Sequence, residues 1–234
     1  MVFRINEKMV KGVVKRIRPF VYGLSIKNDY DRAMLFCRYQ EFYESPFSNI
    51  RGQKFSLEEY MRTYCEKNKS LAFTYPKDWG GFNIPSHSLG ESIKLFFYDE
   101  THSASEYDII MSQVYEFCKE DCYKIDGKEH KWYLIGYDDG DVKTLNHEMA
   151  HAYYYTNEVY RYNCNKLIQN IKNKDFLDIQ KKLVTLGYRK DKKIIYDEIQ
   201  AFMSTGLYST MDTKGLRSYQ NGFIENFENF HNNV

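Results

Sequence analysis

The stretch His147-Glu148-Met149-Ala150-His151 constrains this chain more than any other. It sets three titratable side chains among apolar neighbours. In a helix, residues four apart stack on one face, and the rings come together. Burying two imidazoles and a carboxylate on one face is costly unless something of opposite charge pairs them. Read as a helix, the segment calls for a group that pairs these side chains; on a surface helix the two histidines would be incidental.

The surrounding pattern agrees. Trp132-Tyr133-Leu134-Ile135-Gly136-Tyr137 reads as a strand, Asp138 to Asp141 as a turn, and Val142 to Thr156 as a helix with Asn157 as its stop. Upstream, a helix runs from Asp29 or Asp31 to Glu44 and ends before Pro46. Ser56 with Glu59 opens another to about Lys67, and Ser103 with Glu106 a third to about Glu120. Residues 71–90 carry Pro76, Gly80, Gly81, Pro85 and Gly90 around Trp79 and Phe82, and read as an ordered loop. Cys122 to Ile125, the Asp126-Gly127 turn and Lys131 to Tyr137 read as a hairpin. Beyond the histidines, helices are expected over 163–184, closed by Gly187, over Asp191 to Thr205 with Gly206 beyond it, and along the tail from Thr213. Lys8 to Arg18, with Val10, Val13, Val14 and Ile17 between its cations, reads as a surface helix. The expected fold is α+β, helix-rich, with a small mixed or antiparallel sheet packed on the helix of the two histidines. No linker divides the 234 residues, so one domain over 1–234 is expected, with 1–120 as an upper lobe.

Composition excludes several classes. A net charge of +1, with no long run of one sign, gives no field for nucleic acid. No window of about 18 apolar residues exists, so no membrane span is expected. Five cysteines, an odd number in a long chain, are not a disulfide framework. They read as thiols in a reducing compartment, and with no signal-peptide core at the N-terminus the chain is read as cytoplasmic.

Two imidazoles at this spacing reach one tetrahedral zinc at about 2.0–2.1 Å. Glu148, next to the first ligand, reaches a water on that metal rather than the metal itself. Zinc lowers the water's pKa toward about 7, and the carboxylate takes its proton. One Zn2+ needs a third protein ligand. Glu158 lies two helical turns past His151, too far along the axis for a shared ion. A three-histidine extension would want glycine and histidine where Tyr154 and Asn157 stand. Cys164 is a soft alternative. Glu198 is preferred: it shares a helix face with Ile194, Ile195, Ala201 and Phe202, and a carboxylate on an apolar stripe calls for a cation. Ala201 leaves room for a second helix. Asp197, about 100° round, suits acceptance of a hydrogen bond from an imidazole N–H.

These residues resemble the zincin metallopeptidases. His147-Glu148-Met149-Ala150-His151 matches their helix motif, and Asp197-Glu198 with Ala201 is similar to the second helix of their glutamate-ligand branch, the gluzincins. The interval between His151 and Glu198 is longer than in the best-known members. The resemblance covers roughly 145–206. It implies a zinc peptidase with His147, His151 and Glu198 as ligands, Glu148 as general base, and a protein or peptide as substrate. It also implies a donor for the tetrahedral oxyanion; Tyr208 is preferred over Arg217, Tyr219 and His231. Two other readings stand beside it: a zinc hydrolase of a non-peptide amide, and a binding protein that keeps the fold without turnover.

Overall fold

The structure, a computed structural model, describes residues 1–8, 10–97, 104–206 and 214–233. Its chain forms two compact units, Met1–Leu145 and Asn146–Val234. Ten helices and five strands lie among the described residues, a helix-rich α+β composition.

The first unit is built on a mixed sheet. Its strands are β1 (Val2–Asn6), β2 (Lys11–Arg18), β3 (Val21–Ser25), β4 (Phe82–Pro85) and β5 (Tyr133–Tyr137), in the order β1-β2-β3-β5-β4. β1, β2 and β3 form an antiparallel meander. β3 then pairs parallel with β5, from Val21 beside Tyr133 to Ser25 beside Tyr137. A parallel pair needs a long crossover, and here it carries α1 (Asp29–Glu44), α2 (Leu57–Asn68), α3 (Tyr75–Asp78), β4, α4 (Ser86–Phe97) and α5 (Glu106–Tyr123). All five residues of β5 are buried, and β4 closes the edge antiparallel to it, with Pro85 at its end. Phe36 of α1 packs against the sheet at Gly136: a Cβ there would lie 2.5 Å from the ring, so only glycine admits this approach.

Four local readings in this unit are corrected. The basic segment from Lys8 to Arg18 contains strand β2, not a helix. Val10 and Val14 are fully buried while Val13 faces out. Residues four apart share a face in a strand as well as in a helix, so the spacing did not discriminate. The β-branched residues and two flanking strands decide for extension. The hairpin is also replaced: α5 runs through Cys122 and Tyr123, and Gly127, at φ 74°, turns the chain after the helix. The loop over 71–90 holds α3, β4 and the start of α4. Ser103 lies outside the described residues; the capping box of α5 is Ser105 with Asp108, whose backbone and side-chain bonds reciprocate at 3.2 and 2.9 Å.

The second unit is helical. α6 (Val142–Thr156) enters it at Asn146, followed by α7 (Glu158–Gln169), α8 (Asn173–Thr185), α9 (Lys192–Thr205) and α10 (Lys214–Asn233). Asn157 stops α6 and caps α7, accepting from the Tyr160 N–H at 2.8 Å. The helix expected over 163–184 is broken at 170–172, where Ile171 turns inward among Ile168, Ile179, Leu183, Ile195, Ile199 and Phe202. α9 matches its sequence signals: Asp191 caps the first turn and Gly206, at φ 126°, ends it. The tail is helical, with Phe223 and Phe227 buried. Among the described residues, no helix is long and apolar enough to cross a membrane.

Candidate metal centre

The second unit brings His147 and His151 of α6 against Glu198 of α9. Each offers one ligand atom, and the three atoms lie within 4.8 Å of one another. His151 and Glu198 are buried, at 3% and 6% exposure, and His147 is half-buried. The ring centroids of the two histidines are 5.0 Å apart and nearly perpendicular. His151 Nε2 and Glu198 Oε1 are separated by 3.7 Å. That is too long for a hydrogen bond. It is close to the roughly 3.3 Å between two ligand atoms of a tetrahedral ion with bonds of about 2.0–2.1 Å.

The outer nitrogens of both rings are engaged on the opposite side. Asp197 Oδ1 accepts from His151 Nδ1 at 2.8 Å. Thr205 Oγ1 lies 3.2 Å from His147 Nδ1 and donates its own proton to the Ala201 carbonyl at 2.7 Å. With its hydrogen committed to Ala201, the hydroxyl accepts from His147. Each ring thus turns Nδ1 toward an acceptor, so Nε2 is the nitrogen that each would offer to an ion. Phe202 flanks His147 at 4.5 Å between ring centroids. Burial opposes a charged His151, but the carboxylates of Asp197, Glu198 and Glu148 outweigh it and hold the imidazole well above its ordinary pKa. Three carboxylates around the imidazoles favour a cation, and a divalent ion there would supply that charge with the histidines neutral.

Comparison with family models, with curated proteins and with solved structures finds no match. The case for the site therefore rests on its geometry.

Other residues considered from sequence are placed elsewhere. Glu158 is exposed on α7 and pairs with Arg161 at 3.7 Å. Cys164 is buried against Gln200 and Asn226, outside the three-residue group. Tyr219 is engaged with Asp175 at 2.8 Å. His231 of α10 meets the Tyr153 hydroxyl at 3.0 Å. Tyr208 lies outside the described residues. A cavity of about 300 Å³ opens beside Asn146, Thr205, Glu228 and His231. Thr205 lines it, and neither the two site histidines nor Glu198 does.

Sequence reasoning missed Thr205 and Gln200. Thr205 carried a readable signal: Asp197, Ala201 and Thr205 are four apart and so share one helix face. Gln200 carried none, because its role depends on Tyr160 of another helix.

Proposed function

We propose that this chain is a zinc-dependent peptidase. The observation that carries the reading is the convergence of His147, His151 and Glu198 from two helices, with Glu148 buried on the helix of the two histidines. The donor set suits zinc: two imidazole nitrogens and one carboxylate oxygen, with a fourth position left for chemistry. When bound, the ion supplies a Lewis acid that polarises a carbonyl and acidifies water.

The remaining work falls to the chain. His147 and His151 present Nε2, and Glu198 presents Oε1. Glu148, 6% exposed, accepts a proton at its carboxylate from the attacking water and returns it to the leaving amine nitrogen. An adjacent donor stabilises the charge that develops on the carbonyl oxygen. Tyr208 is proposed for that role from the order of the chain alone. Protein or peptide is the proposed substrate. All five cysteines are free, which fits a reducing compartment.

The test is metal analysis of purified protein together with turnover on a peptide library. Wild type is expected to hold one zinc per chain and to cleave. Glu148→Gln is expected to keep its zinc and lose at least about 10²–10⁴-fold in kcat, the usual contribution of a general base. Wild type without stoichiometric metal ends this reading. Zinc without turnover favours a binding protein that keeps the site.

A further inference from the structure

Behind the metal-facing side of the site stands an array of polar groups. It starts at Gln200, which is fully buried on α9. Its Nε2 donates to Asp197 Oδ1 at 3.0 Å, the same oxygen that accepts from His151. Its Oε1 accepts from the Tyr160 hydroxyl at 3.0 Å, with Ser204 Oγ 3.4 Å from that hydroxyl. The opposite amide orientation would set oxygen against the Asp197 carboxylate, which only accepts, so Asp197 fixes which end of Gln200 faces the site and the Tyr160 hydroxyl donates to the other end. The chain Tyr160–Gln200–Asp197–His151 thus joins α7, α9 and α6. On the other side, Ala201 carbonyl, Thr205 hydroxyl and His147 Nδ1 make a shorter chain.

We propose that Gln200 and Thr205 are the positioning residues of the metal centre. They act through Asp197 and directly on His147, respectively, and lock both imidazoles with Nε2 toward the ion. The inference rests on the zinc reading above and extends it to residues that touch neither metal nor substrate. Its physical content is geometric. A free imidazole rotates about two side-chain torsions and exchanges tautomers, and each of these freedoms has to be given up on binding. Here they are given up beforehand. The supports are unequal: His151 leans on a carboxylate, which makes its Nε2 the stronger donor, while His147 leans on a neutral hydroxyl at a helix end. Loss of Thr205 therefore frees the more weakly held of the two rings.

The experiment measures Co2+ affinity by chelator competition, the visible spectrum of the bound Co2+, and the melting temperature of the metal-free protein. The variants are Thr205→Val, which keeps the shape and removes the hydroxyl, Thr205→Ser, which restores it, and Gln200→Met, which removes the amide. Thr205→Val is expected to bind about 10–100-fold more weakly with an altered spectrum and an unchanged metal-free melting temperature, and Thr205→Ser to recover wild-type affinity. Gln200→Met is expected to weaken binding in the same range. The proposal is overturned if Thr205→Val binds as tightly as wild type, or if Thr205→Ser is as weak as Thr205→Val. The Thr205 pair decides the matter even if Gln200→Met fails to fold. Failure of the underlying zinc reading looks different: wild type itself then binds no Co2+.

Discussion

At the scale of single residues, the sharpest physical claim in the chain concerns Glu41, away from the candidate metal centre. It sits in the middle of α1, 6% exposed. Burial pushes its carboxyl up from the ordinary range, and the hydroxyls of Ser45, Tyr60 and Tyr75 pull the other way without cancelling the effect. A carboxyl whose folded pKa is raised contributes stability that is complete below its unfolded pKa and is lost as pH rises through the folded value. Glu41→Gln, neutral at every pH, is therefore expected to gain on wild type as pH is raised from about 4 to about 8. Urea unfolding across that range checks this, and a gap that widens toward acid would show the opposite linkage. Legibility at this scale divides along local chemistry. His147, Glu148 and His151 are visible in sequence because one turn of helix contains all three. Glu41 and Gln200 are not, since their surroundings come from other elements.

Elements were legible where their ends are marked by side-chain chemistry. Ser56 with Glu59, Asp191 and Gly206 each fix a boundary by bonds within a few residues, and α2 and α9 follow them. Elements defined by distant pairing were not legible. β2 carries a spacing common to helix and strand; β5 was readable as a strand, but its parallel partner across the crossover was not. One helix junction makes a quantitative claim. Asp108, fully buried near the start of α5, meets Arg38 of α1 at 2.6 Å and accepts from Tyr39 at 2.9 Å, while Arg38 also reaches the Phe55 carbonyl and lies 4.0 Å over the Phe96 ring. Asp108→Ala strands a buried guanidinium and removes the acceptor of a buried tyrosine. The expected loss is about 3–5 kcal/mol, the cost of breaking a buried ion pair from one side. It should appear as a lower urea midpoint with little change in slope.

Across the whole molecule, the abundance of tyrosine has a structural explanation. Tyr22, Tyr39, Tyr133 and Tyr160 are almost wholly buried, and their hydroxyls meet Asp121, Asp108, Asn83 and Gln200. Large apolar area and a satisfied polar tip come from the same residue, so the cores tolerate acids that would otherwise be costly. A ligand that binds only the folded state raises stability by mass action, about 4 kcal/mol at a thousandfold excess over Kd. Zinc is accordingly expected to raise the melting temperature, a chelator to reverse it, and a His147→Ala, His151→Ala double variant to show neither response. Differential scanning fluorimetry checks all three.

The pairing order, His147 with Thr205 and His151 with Asp197, makes the two site segments run in opposite directions, and His151 and Asp197 stand 46 positions apart. Everything between them, α7 and α8 included, begins and ends at that crossing. A bound ion would therefore place no ruler on the chain between α7 and α9, which is free to lengthen or shorten while the crossing stays put and α7 keeps Tyr160 against Gln200. Relatives of such a protein are better sought by the two short words, one on each helix, than by any fixed gap between them.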